Sequence, residues 1–194
     1  LVFYVGWGND DSSGFVLSVG GFHRDFTQLP TVPGLPNAFK GLDRVRFTML
    51  DEKAGDPASL WVECYFALTS NAVMIGAAAH LYVDGPWGSW LKGDLSFDAL
   101  IYFDPFRFQF DLYASVKIGY GDSTYGGITL KGRLTGPRPW EIDACATLDL
   151  WLFDLDIPVH AKWGNPTPAT LGGSENLMQV LEREVQDDRN WRVE

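Results

Sequence analysis

Cysteine is scarce: the 194-residue chain holds two, Cys64 and Cys145. A framework of disulfides is therefore excluded. Both cysteines fall inside strand-like patterns, far apart in sequence; spacing alone does not decide whether they form one bridge, and the expectation is two reduced, half-buried thiols, because free cysteine packs as a small hydrophobe. Long apolar runs are lacking as well. None approaches the ~18 residues of a membrane-spanning helix, and no signal-peptide pattern is visible. Positive charge is in deficit: 15 Lys and Arg stand against 25 Asp and Glu, a formal net charge of −10. An acidic surface repels phosphate, which argues against nucleic acid and against anionic lipid headgroups as partners. A membrane-bound protein is not expected.

Chemistry-bearing motifs are thin. The three histidines are His23, His80 and His160, none at metal-ligand spacing from another His or Cys. His80 and His160 occupy polar positions of strands and read as solvent-facing. His23 lies beside Asp25 after a Gly-Gly pair, but no nucleophile accompanies them, so loop hydrogen bonding is expected rather than catalysis. The run Asn9 to Ser13 is rich in oxygen ligands yet lacks the spacing of a calcium loop, and it suits a hairpin turn. Asp94, Asp98, Asp111, Asp149, Asp154 and Asp156 read as alternating solvent-facing acids rather than a carboxylate pair for glycoside hydrolysis. Gly119-Tyr120-Gly121 opens no helix and has no Lys-Ser/Thr, so a nucleotide site is not indicated. Neither a catalytic centre, nor a metal, nor a cofactor is expected, and the chain reads as no enzyme.

What is abundant is alternation. Hydrophobic residues make up 46% of the chain and aromatics 14%, with 8 Trp and 13 Phe. Phe106, Phe108, Phe110, Leu112, Ala114, Val116, Ile118 and Tyr120 recur at every second position, a period that only strands keep. Leu91, Leu95, Phe97, Ala99, Ile101 and Phe103 do the same, with only Asp104-Pro105 between the two runs, so a tight hairpin is expected there. Leu60 to Leu68 and Val73 to Val83 form a second such pair around Ser70-Asn71. Ile142 to Leu152 and Leu155 to Trp163 follow, with a parity change that calls for a bulge or bend near Phe153-Asp154. The fold class is all-β: a long antiparallel up-and-down meander over residues 1–166. Its greasy face needs a cover, supplied by closing into a barrel, folding over, or packing on another domain. Residues 167–194 read as a Pro/Gly linker and a short C-terminal helix from Ser174 with the stripe Leu177, Met178, Leu181 and Val185, part of the same unit.

Four aromatics stand out as a binding surface. Trp61 and Tyr65 share the polar face of their strand, and Trp87 and Trp90 flank a turn. Exposed flat rings stack sugars or grip a partner chain, although a second layer over this face is the reading that the rarity of exposed apolar patches favours.

The blocks FVLSVGGFHRDF (Phe15 to Phe26), YFALTSNAV (Tyr65 to Val73), FDALIYFDPFRF (Phe97 to Phe108), LTGPRPWEI (Leu134 to Ile142) and DDRNW (Asp187 to Trp191) resemble the bacterial family catalogued as domain of unknown function 6603. The resemblance runs from about Trp7 to Trp191. It implies a portion of a long multidomain protein, in keeping with a chain that opens on a strand pattern without an initiator Met, and it brings no established activity or functional residue. The expected function is a non-enzymatic structural or binding module of a larger bacterial protein, its partners being other domains of the same chain or other proteins. The alternative is a carrier that holds a lipid or other hydrophobic ligand on an amphipathic sheet.

Overall fold

The computed structural model describes residues 1–7, 13–28 and 42–164. They form ten strands: β1 (Val2–Gly6), β2 (Gly14–Val19), β3 (Val45–Leu50), β4 (Ser59–Thr69), β5 (Ala72–Asp84), β6 (Ser89–Tyr102), β7 (Arg107–Tyr120), β8 (Ser123–Gly136), β9 (Trp140–Leu150) and β10 (Phe153–Trp163). All belong to one antiparallel sheet in the order β1-β2-β4-β5-β6-β7-β8-β9-β10, so from β4 onward each strand pairs with its predecessor. The only helical elements among the described residues are two single 3-10 turns, Glu52–Ala54 and Pro86–Gly88. The helix read after Ser174 and the Asn9 to Ser12 run lie outside the described residues.

The sheet is open rather than barrel-closed: among the described residues β1 and β10 each pair on one side only. The sequence carries its own protection for the β10 edge. Pro158 lacks the N–H that an inner strand would have to donate, and His160 and Lys162 place polar groups beside it. The hairpin at Asp104-Pro105 forms as read, closed by the pair Tyr102 and Arg107. The parity change after Leu150 has a different cause from the one expected. Trp151 and Leu152 form a two-residue turn, Leu150 pairs with Phe153, and opposed residues share a face, so the apolar set moves from even to odd numbers without any bulge.

On the edge of β4, two strands share one place. β2 pairs with Phe66 to Thr69 and β3 with Leu60 to Cys64, so they lie end to end along the same neighbour. The chain leaves this edge at Gly20-Gly21, both with left-handed φ (76° and 101°). A side chain at Gly20 would stand 2.6 Å from the Cys64 carbonyl, so glycine is required there. The segment that follows crosses the polar face of the sheet.

This crossing decides where the core lies. Register places Ala67, Met74 and Leu100 in one row across β4, β5 and β6. Phe22 and Phe26 of the crossing segment stack on each other (centroids 5.9 Å apart). Phe26 packs with Tyr65, Ala67, Ala72, Met74, Leu100 and Tyr102, and Phe22 packs against this cluster. The tightest core thus sits on the face that carries the acids. The opposite face, which holds nearly all the alternating apolar residues, stays half open: Phe66, Ile75, Leu95, Leu112, Val116, Ile118 and Leu130 are 40–53% exposed. The expectation that the acids meet solvent holds for Asp154 and Asp156 but is corrected for Asp111, which is buried, because a loop and not a second sheet covers this part of the face.

Candidate binding surfaces

Three regions present chemistry. The first is the polar hub under the crossing segment. Asp98 and Asp111 stand directly opposite each other on β6 and β7, two like charges that need cations. Arg44 Nη2 lies 3.0 Å from Asp98, and Arg133 Nε donates to Asp111 at 2.6 Å. Gln109 donates to both Asp111 (2.8 Å) and Asp25 (2.6 Å), and Arg133 also reaches Asp25 at 3.1 Å. Arg24, on the crossing segment, comes within 3.6 Å of Asp111. His23 is buried; its Nδ1 accepts the Asp25 backbone N–H at 3.1 Å, which leaves Nε2 to carry the ring hydrogen toward Asp111, 3.4 Å away.

The protonation equilibria follow from these contacts. Burial lowers the His23 pKa below its ordinary value against the opposing pull of Asp25 and Asp111. Burial alone would raise Asp111, but hydrogen bonds from Arg133 and Gln109 outweigh it and hold the carboxyl below the usual range. The Gln109 hydrogen bond is the chief cause of a lowered Asp25. Burial, then the Asp98 carboxylate, raises the Tyr65 hydroxyl. The cluster is thus a neutral imidazole and ionised carboxylates held by guanidinium groups. It pins the crossing segment, as loop hydrogen bonding at His23 was expected to do. Beyond the segment, the polar face hollows into a groove of about 670 Å³ whose lining includes Arg24, Asp98, Asp111, Lys131, Arg133 and His160.

The second region is the open apolar face. Its rings form a continuous ladder: Phe97 stacks on Phe110 (6.0 Å), Phe110 meets Phe108 (5.2 Å), Phe108 meets Trp140 edge-on (5.0 Å), and Trp140 stacks on Trp163 (6.1 Å). Four strands contribute. At one end, Val83, Leu91, Ile118 and Tyr125 line an apolar hollow of about 320 Å³.

The third region holds the aromatics singled out from sequence, which the fold separates. Tyr65 is not on the surface: it is 3% exposed, its ring lying against Gly76, where a Cβ would come within 2.1 Å, with the Arg44 guanidinium 4.8 Å from the ring centre. Trp61 is held between the His80 ring (5.0 Å, stacked) and the Arg46 guanidinium (4.7 Å). His80 is itself half-buried and paired with Asp94 at 2.7 Å. Trp87 lies in the β5–β6 turn and Trp90 at the start of β6, away from these two. Trp90 donates its indole N–H to the Gly121 carbonyl (2.9 Å), while Trp87 is 87% exposed.

Glu141, Asp143 and His160 bring three donor atoms within 4.8 Å of one another on β9 and β10. These groups already satisfy one another: His160 pairs with Asp143 and Lys162 with Glu141. Cys64 and Cys145 are free thiols on opposite faces of the sheet, on β4 and β9, five strand pairings apart.

Fold and surfaces together define an open, amphipathic all-β sheet protein with one buried polar hub and one exposed apolar face. The sequence matches the family of unknown function DUF6603 over residues 1–190, and the chain belongs to that family. No curated protein and no solved structure matches it.

Proposed function

We propose that the chain is a non-enzymatic binding module that docks the apolar face of its sheet against an apolar surface of another protein segment, within a longer chain or in a partner. The observation that carries this reading is the half-open state of the most hydrophobic side of the molecule. Area argues for a protein rather than a small ligand. The strands β4 to β10 are each at least 11 residues long. Seven strands ~4.8 Å apart with a rise of ~3.3 Å per residue span about 1,000 Å². A stable monomer rarely leaves more than a few hundred Å² of contiguous apolar surface in water, whereas each side of a specific protein interface buries about 800 Å². The carrier reading retains one supporting feature, the apolar hollow beside Ile118, which has room for a short apolar group.

The test is bis-ANS titration and native mass spectrometry of the purified chain, beside a Leu112→Ser/Val116→Ser variant. Strong dye binding that the double variant reduces several-fold supports docking through this face. A co-purified acyl lipid at one per chain would replace the docking reading with the carrier. Dye binding at the level of an ordinary globular protein would show the face to be covered and end both.

A further inference from the structure

Three hairpins turn at the same end of the sheet: Gly85–Gly88 between β5 and β6, Gly121–Asp122 between β7 and β8, and Trp151–Leu152 between β9 and β10. They are joined into one rim. Gly121 N–H donates to the Gly88 carbonyl (2.9 Å), the Trp90 indole donates to Gly121 (2.9 Å), and Tyr125 meets Trp151 edge-on (5.7 Å). From this rim project side chains that elsewhere would be core: Trp87, Leu152 and Trp151 are 87%, 86% and 73% exposed. The other end of the same strands is unlike it. Its turns are Ser70-Asn71, Asp104-Pro105 and Pro137-Arg138-Pro139, where Asn71 exchanges two hydrogen bonds with the Asp104 backbone. None of the residues in these three turns is a large exposed hydrophobe, although Trp7, where the chain leaves β1 at this end, is 63% exposed.

Trp87 adds an independent mark. It adopts φ 59°, ψ 24°, the left-handed region, and is the one described non-glycine residue with positive φ. A bulky side chain there is strained, and such outliers persist where position matters. The strained backbone here holds an indole outward in water, a placement that stability alone opposes.

We propose that this rim enters the interfacial layer of a lipid bilayer, with Trp87 and the Trp151-Leu152 tip as the inserted groups. Separate projecting tips suit a deformable surface better than a flat protein face. Indoles, apolar in body and polar at the N–H, favour the boundary between headgroups and acyl chains. Charge selects the lipid. Asp84, Asp122 and Asp154 flank the tips, and the β3–β4 connection at the same end adds Asp51, Glu52 and Asp56 against Lys53, while Lys92 lies over the Tyr82 and Trp90 rings and Lys117 pairs with Asp149 at 2.8 Å. An acidic rim gains nothing from anionic headgroups. The surface it fits is zwitterionic, and binding through it is expected to be insensitive to salt.

The experiment is co-sedimentation of the whole chain with phosphatidylcholine vesicles, together with tryptophan quenching by brominated phosphatidylcholine. Binding with quenching is expected. Trp87→Ser and, separately, Trp151→Ser/Leu152→Ser should each weaken it about tenfold, since each removes a large apolar group from the inserted layer. These positions are solvent-exposed, and a strand-type circular dichroism spectrum checks that the variants fold. Absence of binding overturns the proposal. So does binding that requires phosphatidylserine, or binding that survives both tip variants and is lost in Leu112→Ser/Val116→Ser. That last result would assign the lipid to the apolar face and leave the rim without a role.

Discussion

Met74 and Ile75 are consecutive residues of β5, and they live in opposite environments: Met74 has no exposed surface, whereas Ile75 is 50% exposed. Met74 points to the side of the sheet that carries Asp98, Asp111 and Arg133; Ile75 points to the side that carries almost nothing but hydrocarbon. The usual association of polar with wet and apolar with dry is reversed here because the cover comes from within the chain. The crossing segment carries Phe22, His23, Arg24, Asp25 and Phe26, and so brings its own ions as well as its own rings. Wherever it lies over the sheet, polar groups are buried with their partners. Outside its reach, neither face has a lid among the described residues.

The sharpest way to break this comparison is a matched pair of charges. Met74→Asp is expected to cost about 4 kcal/mol or more, because an unpaired carboxylate would enter a closed apolar pocket. Ile75→Asp should cost no more than about 1 kcal/mol in the isolated chain, since its side chain keeps access to water. Urea unfolding of both variants measures the difference, and equal losses would mean that the apolar face is covered in solution. Next in size is Asp111→Ala, which leaves Arg133 without its main acceptor and His23 without the carboxylate it faces. A loss of about 2–3 kcal/mol is expected, along with faster hydrogen exchange of the amides from Phe22 to Phe26.

Acid should act on the same hub. The His23 pKa is lowered in the folded protein, so its contribution is fully present above the unfolded value near 6.5 and lost as pH falls through the depressed folded one. Asp25 and Asp111 are lowered as well, and their contribution disappears further down, below the unfolded carboxylate value of 3.8. Stability measured from pH 8 to pH 5 should therefore decline, and His23→Gln should flatten the decline. A wild-type curve level across that range would remove His23 from the account. The smallest effect is expected where the polar face has no lid. Lys162→Ala breaks the pair with Glu141 on β10 and should change stability by less than about 0.5 kcal/mol, as exposed ion pairs do.

Much of the fold was readable from the sequence, because period-2 alternation fixes both the strands and which side chains share a face. The hairpins at Ser70-Asn71 and Asp104-Pro105 were readable for the same reason, since turn chemistry interrupts two strongly periodic runs. The buried side of the sheet was harder. Its signal was present in Ala99-Leu100-Ile101-Tyr102 and Ala72-Val73-Met74, where apolar residues occupy both parities, as in strands covered on two faces. That signal is short, and a long polar alternation elsewhere on the same strands masked it. The hub was illegible for another reason: His23, Asp111 and Arg133 come from three separate elements, and register joins them only once β2 and β3 are known to share the edge of β4. The four aromatics read as one surface fell on two sites because sequence shows the face of a strand but not what lies above it. The exposed rim was named in part, through Trp87; Trp151 and Leu152 were read as the interior of a strand and not as its turn.

The strand order carries a consequence for synthesis. From β4 to β10 every strand pairs with the one made just before it, so contacts close over short loops and little chain entropy must be spent to bring partners together. A sheet of this kind can lengthen strand by strand as the polypeptide leaves the ribosome. At each stage the newest strand is a raw edge with unpaired backbone groups, and β6, β7 and β8 each hold that position in turn without a proline to blunt it. Only when β10 arrives, with Pro158 in its ladder, does growth meet a natural stop. Truncation before residue 158 is therefore expected to yield not a smaller soluble sheet but a chain that recruits further copies of itself.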